Sequence, residues 1–210
     1  MRTTSHLFVP CSSARPGCEL RDTASGRIEI DTPHAKASIA ISEIGLEDTV
    51  IDAGGLVGRH VGDGVVAFFL TETAGSESAA ASACIAAARA LRAAVRDVAA
   101  RSELQPEDVV LRFGLHWGST LYVGNISTGG RSEVTALGDE VNEAARIEAC
   151  ATGGRALASK SLIERLDPDD SARLGLDPDR VTYTPLTDLA TATEKARRDA
   201  PAIAVCDVTE

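Results

Sequence analysis

The sequence predicts an α/β sandwich built on a mixed, mostly antiparallel sheet. Strand-like and helix-like segments alternate along the chain, as they do in sandwiches of this class. Two β-rich runs, at residues 56–61 and 65–70, flank a Gly-Asp-Gly corner in the way that the strands of a hairpin do. Twelve alanines lie within residues 79–100, where apolar residues recur every three or four positions as in a long helix packed on a sheet.

Length and composition limit the classes of function. A chain of 210 residues suits one domain with at most a modest appendage. The net charge of −10 and the total of only seven Phe, Tyr and Trp residues argue against a nucleic-acid or anionic membrane surface. No apolar run approaches the roughly 18 residues that a membrane span needs. We therefore expect a cytoplasmic protein with neither nucleic acid nor membrane as a partner, and its five scattered cysteines to be free thiols.

The remaining elements follow from periodicity and from turn residues. Residues 1–26 have no sustained period, and we expect either a poorly defined arm or a first strand there. Arg89, Arg92 and Arg96 line a second face of the alanine-rich helix, which we expect to face solvent. The other predicted elements are a strand at 27–30, a helix over 33–53, a loop at 71–78, a strand pair at 109–117 and 120–125, a Gly-rich loop at 127–131, a helix from an Asp139 cap to Cys150, a strand at 155–159, a helix at 160–166, and closing strands at 181–186 and 203–208.

The Gly62-Asp63-Gly64 corner is the first candidate for chemistry. A carboxylate at a tight hairpin tip is exposed, and its small neighbours allow a metal ion or a phosphate to approach. The alternative is an ordinary hairpin turn, because Asp-Gly suits the positive φ angles of such turns. Ala67 stands where a dinucleotide-binding motif needs its third glycine, so that motif is excluded.

The second candidate lies in the segment Gly138-Asp139-Glu140-Val141-Asn142-Glu143-Ala144-Ala145-Arg146. Asn142 and Arg146 are four residues apart, so a helix presents them on one face. An amide can orient a hydroxyl or ether oxygen, and a guanidinium offers a planar fork that fits phosphate. The alternative is a pair of solvated surface residues. His116, in the strand-like run before this segment, is expected to be a packed or hydrogen-bonded side chain.

The order of these motifs resembles the catalytic domain of class III nucleotidyl cyclases, the adenylyl and guanylyl cyclases. The hairpin, the long helix, the Leu-Arg-Phe-Gly-Leu-His-Trp-Gly run at 111–118 and the Gly-Asp-x-Val-Asn-x-Ala-Ala-Arg string follow one another over residues 54–166. The resemblance implies a ferredoxin-like sandwich over residues 27–210 that works as a head-to-tail homodimer. It also implies conversion of ATP, with GTP as the alternative, to a 3′,5′-cyclic nucleotide and pyrophosphate.

The same resemblance implies the site residues. Asp63 would be one of two aspartates that hold two Mg²⁺ or Mn²⁺ ions per site. Asn142 would position the ribose and Arg146 would meet the charge on the α-phosphate. Arg59 and Thr135 stand where the family reads the purine base, and neither is the residue that the family most often has there, so ATP and GTP stay open.

The other metal ligand has no clear counterpart in the sequence. The family carries it in an Asp-x-x-Gly motif that ends the first strand, and this motif is absent. Asp22, which lies 41 residues before Asp63, is the nearest candidate, and Asp31, which lies 32 before it, follows a better strand. If neither carboxylate reaches the site, the chain is instead a catalytically weak or inactive cyclase-like regulatory module that dimerises and binds a nucleotide or a partner.

Overall fold

The fold was determined as a computed structural model that describes residues 4–9, 11–12, 19–22, 27–31, 36–40, 44–61, 64–105, 107–118, 122–128 and 131–210. The strands are β1 (Thr4–Val9), β2 (Cys11–Ser12), β3 (Glu19–Asp22), β4 (Arg27–Asp31), β5 (Lys36–Ala40), β6 (Leu56–Val61), β7 (Gly64–Leu70), β8 (Val110–Leu111), β9 (Phe113–Gly118), β10 (Tyr122–Thr128), β11 (Arg131–Leu137), β12 (Ala156–Ser159), β13 (Thr184–Pro185) and β14 (Ala204–Asp207). The helices are α1 (Leu46–Asp52), α2 (Thr71–Ala74), α3 (Glu77–Arg101), α4 (Asp139–Cys150), α5 (Lys160–Ile163), α6 (Pro168–Leu174) and α7 (Glu194–Asp199).

A seven-stranded sheet forms the centre of the molecule, with the strand order β13-β14-β12-β9-β1-β7-β6. The pair β12 and β9 is parallel, and the other pairs are antiparallel. The predicted fold class, an α/β sandwich with a mixed and mostly antiparallel sheet, is therefore confirmed. The N-terminal strand β1 lies between β7 and β9, so residues 4–9 form an interior strand of the sheet.

The predicted hairpin and the long helix are confirmed, but three other local predictions are wrong. Residues 71–78, expected to be a loop, contain α2 and the start of α3. The helix expected over residues 33–53 is only α1, because residues 36–40 form β5 and pair with β4. The strand pair expected from residues 109–117 and 120–125 does not form. Both edges of β9 are occupied by β1 and β12, and β10 pairs with β11 in a sheet of two strands.

Helix α3 packs across one face of the central sheet. Its predicted apolar face is buried, with exposed fractions of 0–3% for Cys84, Ala88, Leu91, Val95 and Val98. Among the described residues, α3 alone is long and apolar enough to cross a membrane, but half of that apolar stretch is buried against the rest of the chain. Its composition is thus explained by its place in the core of the fold.

The arginine face of α3 is not the solvated surface that the sequence suggested. The Arg89 guanidinium donates to the carbonyls of Leu174, at 2.6 Å, of Val208, at 3.1 Å, and of Glu210. Arg92 donates to the carbonyl of Thr209 at 3.3 Å, whereas Arg96 is exposed. Two of these three arginines therefore fasten the last described residues to α3.

The opposite face of β9 carries α4. Phe113, Leu115 and Trp117 point into the core with α3, and the alternate residue Gly114 lies against α4. A Cβ atom on Gly114 would lie 2.3 Å from the carbonyl oxygen of Ala144 and 2.5 Å from the amide nitrogen of Glu148. Both are backbone atoms of a helix, so the present distance between α4 and β9 requires glycine at position 114.

Gly114→Ala is expected to lower the free energy of unfolding by about 1–3 kcal/mol, because overpacking against a helix backbone forces that helix to move. Denaturant unfolding measures the change. Gly175→Ala is the control, since position 175 has φ +66° and open space around it, and only its left-handed backbone opposes the alanine. Wild-type stability of Gly114→Ala would show that α4 does not pack this closely on β9.

Candidate functional site

Helix α4 carries the polar pair that the sequence singled out. Asp139 is the first residue of α4 and not its cap: Gly138 occupies the cap position, and no side chain caps the helix. Asp139 and Glu140 still lie in the first turn, where the helix dipole favours negative charge. Asn142 is exposed and Arg146 is half-buried, so the face that they share points away from the sheet.

Two side-chain pairs hold the inner face of α4: a hydrogen bond with His116 of β9, and an ion pair with Arg112, which lies just before β9. His116 Nε2 lies 2.8 Å from Glu143 Oε2, and Arg112 Nε lies 2.9 Å from Glu148 Oε1. His116 and Glu148 are buried, with exposed fractions of 6% and 5%. Together with the close contact at Gly114, these pairs fix the rotation of α4 and hence the direction of its outer face.

The predicted role of His116 as a packed, hydrogen-bonded side chain is confirmed. Its Nε2–H donates to the Glu143 carboxylate, and this hydrogen bond holds the pKa of Glu143 below its usual value. Glu143 is the neighbour of Asn142 in the chain, so the pair anchors the turn of α4 that presents Asn142.

Arg146 does not face open solvent. Its Nε and Nη2 atoms each lie 3.1 Å from Oδ2 of Asp199, which is the last residue of α7. Arg198 Nε contacts the other oxygen of the same carboxylate at 2.6 Å. The hydrogen bond from Arg198 is the main reason that the pKa of Asp199 is lowered, and Arg146 lowers it further.

The two predicted base-reading residues are on strands that contact each other. Arg59 is on β6 and Thr135 is on β11, and β11 lies against β6. Thr135 pairs with Gly124 across the β10–β11 ladder. The structure therefore places Arg59 and Thr135 on two strands that contact each other. Their role in reading a base stays a prediction.

Asp63 lies outside the described residues. The strand residues on either side of the corner, Val61 and Gly64, pair with each other. Val65 in turn pairs with Val9, the last residue of β1. The end of β1 thus lies beside the start of β7, next to the hairpin corner.

No acidic residue is present on β1. The first acidic residue of the chain is Glu19, and β1 is followed by Pro10 and Cys11. A carboxylate that ends the first strand, as the family pattern requires, is therefore missing from the strand that lies beside the hairpin.

The structure does not bring either alternative aspartate into the central sheet. Asp22 ends β3 and Asp31 ends β4, and both strands belong to a separate sheet of three strands, β3-β4-β5. Asp31 forms an ion pair of 2.6 Å with the exposed Lys36. Within the described residues, no group of three or more His, Cys, Asp or Glu side chains could hold a metal ion. The assignment of Asp22 to a metal site stays a prediction.

Solved structures of cyclases share this fold. The crystal structure of the adenylyl cyclase CyaB from P. aeruginosa aligns with a TM-score of 0.62 and 16% identity over 98% of this chain and 93% of that one. The guanylyl cyclase Cya2 aligns with a TM-score of 0.61 and 21% identity over 98% and 91%. The guanylate cyclase domain of RhGC from Catenaria anguillulae, solved in complex with GTP, aligns with a TM-score of 0.55 and 14% identity over 88% and 86%.

These likenesses confirm the resemblance that the motifs predicted, at the level of the fold: the chain has the fold of class III nucleotidyl cyclase catalytic domains. No protein-family model matches the sequence, and no curated protein matches it.

Sequence reasoning missed the residues that orient α4, and it missed Asp199. A signal was present in the sequence, because Arg112, Gly114 and His116 alternate along a run that is otherwise apolar. On α4, Glu148 contacts Arg112 and Glu143 contacts His116. Asp199 gave no such signal, since its contact with Arg146 joins residues 53 positions apart.

Glu143→Gln is expected to weaken the dependence of stability on acidic pH. The folded pKa of Glu143 is lowered, so its stabilising effect is complete above about pH 4.5, the usual value, and is lost as the pH falls through the folded pKa. Denaturant unfolding at about pH 6 and about pH 3 should show a smaller loss in the variant than in the wild type. Glu164→Gln, which removes an exposed pair of 3.6 Å with Lys160, is the control. Equal losses in Glu143→Gln and the wild type would contradict the role of the pair.

Proposed function

We propose that this chain is a nucleotidyl cyclase that converts ATP to 3′,5′-cyclic AMP and pyrophosphate at the interface between two copies. The observation that carries the proposal is the outer face of α4, where Asn142 and Arg146 are presented together by a helix that is locked onto β9. This amide and this guanidinium are the groups that a sugar and a phosphate need. The cyclase fold supplies the context.

The choice between adenine and guanine depends on the residues at positions 59 and 135. Proteins with this fold include both an adenylyl cyclase and a guanylyl cyclase, so either purine is compatible with it. An arginine at position 59 donates hydrogen bonds, and the hydroxyl of a threonine at position 135 can donate or accept them. We propose ATP as the substrate and GTP as the alternative.

The direction of the outer face of α4 supports a site shared by two copies. Helix α4 lies on β9 and β1, and β1 separates β9 from the hairpin strand β7. At about 4.8 Å per strand, β7 is about 10 Å from β9. The outer face of α4 also points away from that sheet. A nucleotide that contacts both the hairpin corner and this face is therefore best held between a corner from one copy and α4 from another.

The reaction requires that the 3′-oxygen of the ribose attack the α-phosphorus. A P–O bond to the ribose forms, the P–O bond to pyrophosphate breaks, and the 3′-hydroxyl proton is released. Asn142 would orient the ribose so that the 3′-oxygen is aligned with the α-phosphorus for this attack. Arg146 would stabilise the charge that develops on the α-phosphate.

The strand beside the hairpin offers no second carboxylate, so a pair of metal ions held by two aspartates would need Asp22 of β3, which stays a prediction. Asp63 is a candidate ligand for one Mg²⁺ or Mn²⁺, which would neutralise charge on the triphosphate. The second carboxylate is absent from β1, the strand that adjoins the hairpin. We therefore expect slow turnover, and we derive the roles above from Asn142 and Arg146 alone.

The missing carboxylate also favours a second candidate function. A cyclase-like module that dimerises and binds nucleotide or a partner, with weak or no turnover, needs the base-reading strands and α4 but not a two-ion site. In this case ATP should raise the thermal unfolding temperature of the protein without forming a cyclic product. The cyclase proposal instead requires both effects.

The cyclase proposal predicts that the purified protein forms cyclic AMP from ATP in the presence of Mn²⁺, measured by chromatography. Arg146→Ala should lower the rate at least about a hundredfold, because it removes a group that stabilises the transition state. Arg155→Ala is the matched control: it removes a similar surface ion pair, 2.8 Å from Asp207, and should leave the rate within about twofold. Unchanged product formation by Arg146→Ala would exclude the assigned role.

Mixing two inactive variants tests the shared site. Asp63→Ala and Arg146→Ala remove groups that we assign to opposite copies, so a mixed dimer retains one intact site. After equilibration, the mixture should recover about a quarter of the wild-type rate, since half of random dimers are mixed and one of their two sites is intact. If the mixture stays as inactive as its components, the two residues do not act across an interface.

A further inference from the structure

We propose that Asp199 holds the guanidinium of Arg146 against α7, and that the phosphate of a bound nucleotide must displace the Asp199 carboxylate. The state in which Arg146 is paired with Asp199 is called the closed position. The inference rests on the proposed function, because it concerns the regulation of the same site. It assigns to α7, a C-terminal helix outside the motifs, a direct influence on the residue that meets phosphate.

The contact occupies the donors that phosphate would use. Both Nε and Nη2 of Arg146 lie 3.1 Å from the same carboxylate oxygen of Asp199. Two adjacent N–H groups of a guanidinium form the fork that binds an oxyanion. With 24% and 32% of their side chains exposed, Arg146 and Asp199 are still reachable by a ligand from solvent. A phosphate and the Asp199 carboxylate therefore compete for one set of donors.

Contacts other than the ion pair also support the position of Asp199. Ala196 and Ala200, on α7 and just after it, are buried in one cluster with Ile147 and Cys150 of α4. The hydroxyl of Thr191 donates to the carbonyl of Cys150 at 2.7 Å. The packing of α7 on α4 thus places the Asp199 carboxylate beside Arg146, where the ion pair forms.

Asp199 is also unfavourably placed for its own helix. It is the last residue of α7, where the helix dipole favours cations, as Arg197 and Arg198 provide. A carboxylate here opposes the dipole, so helix stability does not explain its presence. Its contacts with Arg146 and Arg198 do explain it.

The strength expected for such a pair sets the size of the effect. Ion pairs with this degree of exposure contribute modestly, and releasing one corresponds to a change of about two- to fivefold in a competing equilibrium. Asp199 should therefore lower the affinity for a triphosphate slightly without preventing its binding. This effect should be smaller in high salt.

The first test needs no nucleotide. Phenylglyoxal modifies accessible arginine guanidinium groups, and peptide mass spectrometry reports the rate at each arginine. Asp199→Asn keeps the shape of the side chain and removes its charge, so the rate at Arg146 should rise about two- to fivefold. Asp207→Asn is the matched control, since it frees Arg155 from an ion pair of 2.8 Å and should leave Arg146 unchanged. In the wild type, about 1 M salt should also raise the rate at Arg146, which tests the contact without any substitution.

The second test measures nucleotide affinity by titration calorimetry with ATP and Mg²⁺. Asp199→Asn should lower the Kd about two- to fivefold, and the same change made on top of Arg146→Gln should have no effect, because the competing donors are then absent. A purely structural role for the ion pair would leave the Kd unchanged or raise it.

The outcomes separate this inference from the proposed function. If Asp199→Asn and high salt leave the reactivity of Arg146 unchanged, the closed position does not exist and the inference is overturned. If reactivity rises but the Kd does not fall, competition with phosphate is overturned while nucleotide binding stands. If reactivity rises and neither protein binds ATP, the closed contact is supported and the proposed function fails.

Discussion

The close approach of α4 to β9 is the constraint on which the rest of the site depends. Only a residue without a side chain leaves room at position 114 for the carbonyl of Ala144 and the amide of Glu148. On either side of this contact, His116 and Arg112 hold the two glutamates of the inner face. A rigidly held inner face fixes the outer face, so Asn142 and Arg146 have a defined direction before any ligand arrives.

The charge of the protein explains why that direction matters. A chain with a net charge of −10 offers a triphosphate no general attraction, and any affinity must come from local cations. Arg146 is such a cation, but it already forms an ion pair with Asp199 of α7. A bound metal ion would be a second local source of positive charge, but β1 has no acidic residue to help bind one. Slow turnover with nucleotide-dependent release of Arg146 from Asp199 is the behaviour that this arrangement favours.

Local patterns predicted the elements that are determined locally. The β6–β7 hairpin follows from its glycine corner, α3 from its apolar period, and α4 from the acidic first turn and the apolar positions behind it. Pairings between distant strands were not accessible in this way. β1 enters the interior of the sheet, and β9 finds partners more than 40 residues away in β12 and more than 100 away in β1. The Asp199 contact was missed for the same reason, because no periodicity links a C-terminal helix to Arg146.

A crystal structure of the protein with an unreactive ATP analogue would test the shared site most directly. We expect the analogue to lie between two copies, with its α-phosphate on Arg146 of one copy and near the hairpin corner of the other. We also expect Arg146 to have left Asp199. A nucleotide held within a single copy, or an Arg146 that stays on Asp199 while the phosphate binds elsewhere, would contradict these expectations.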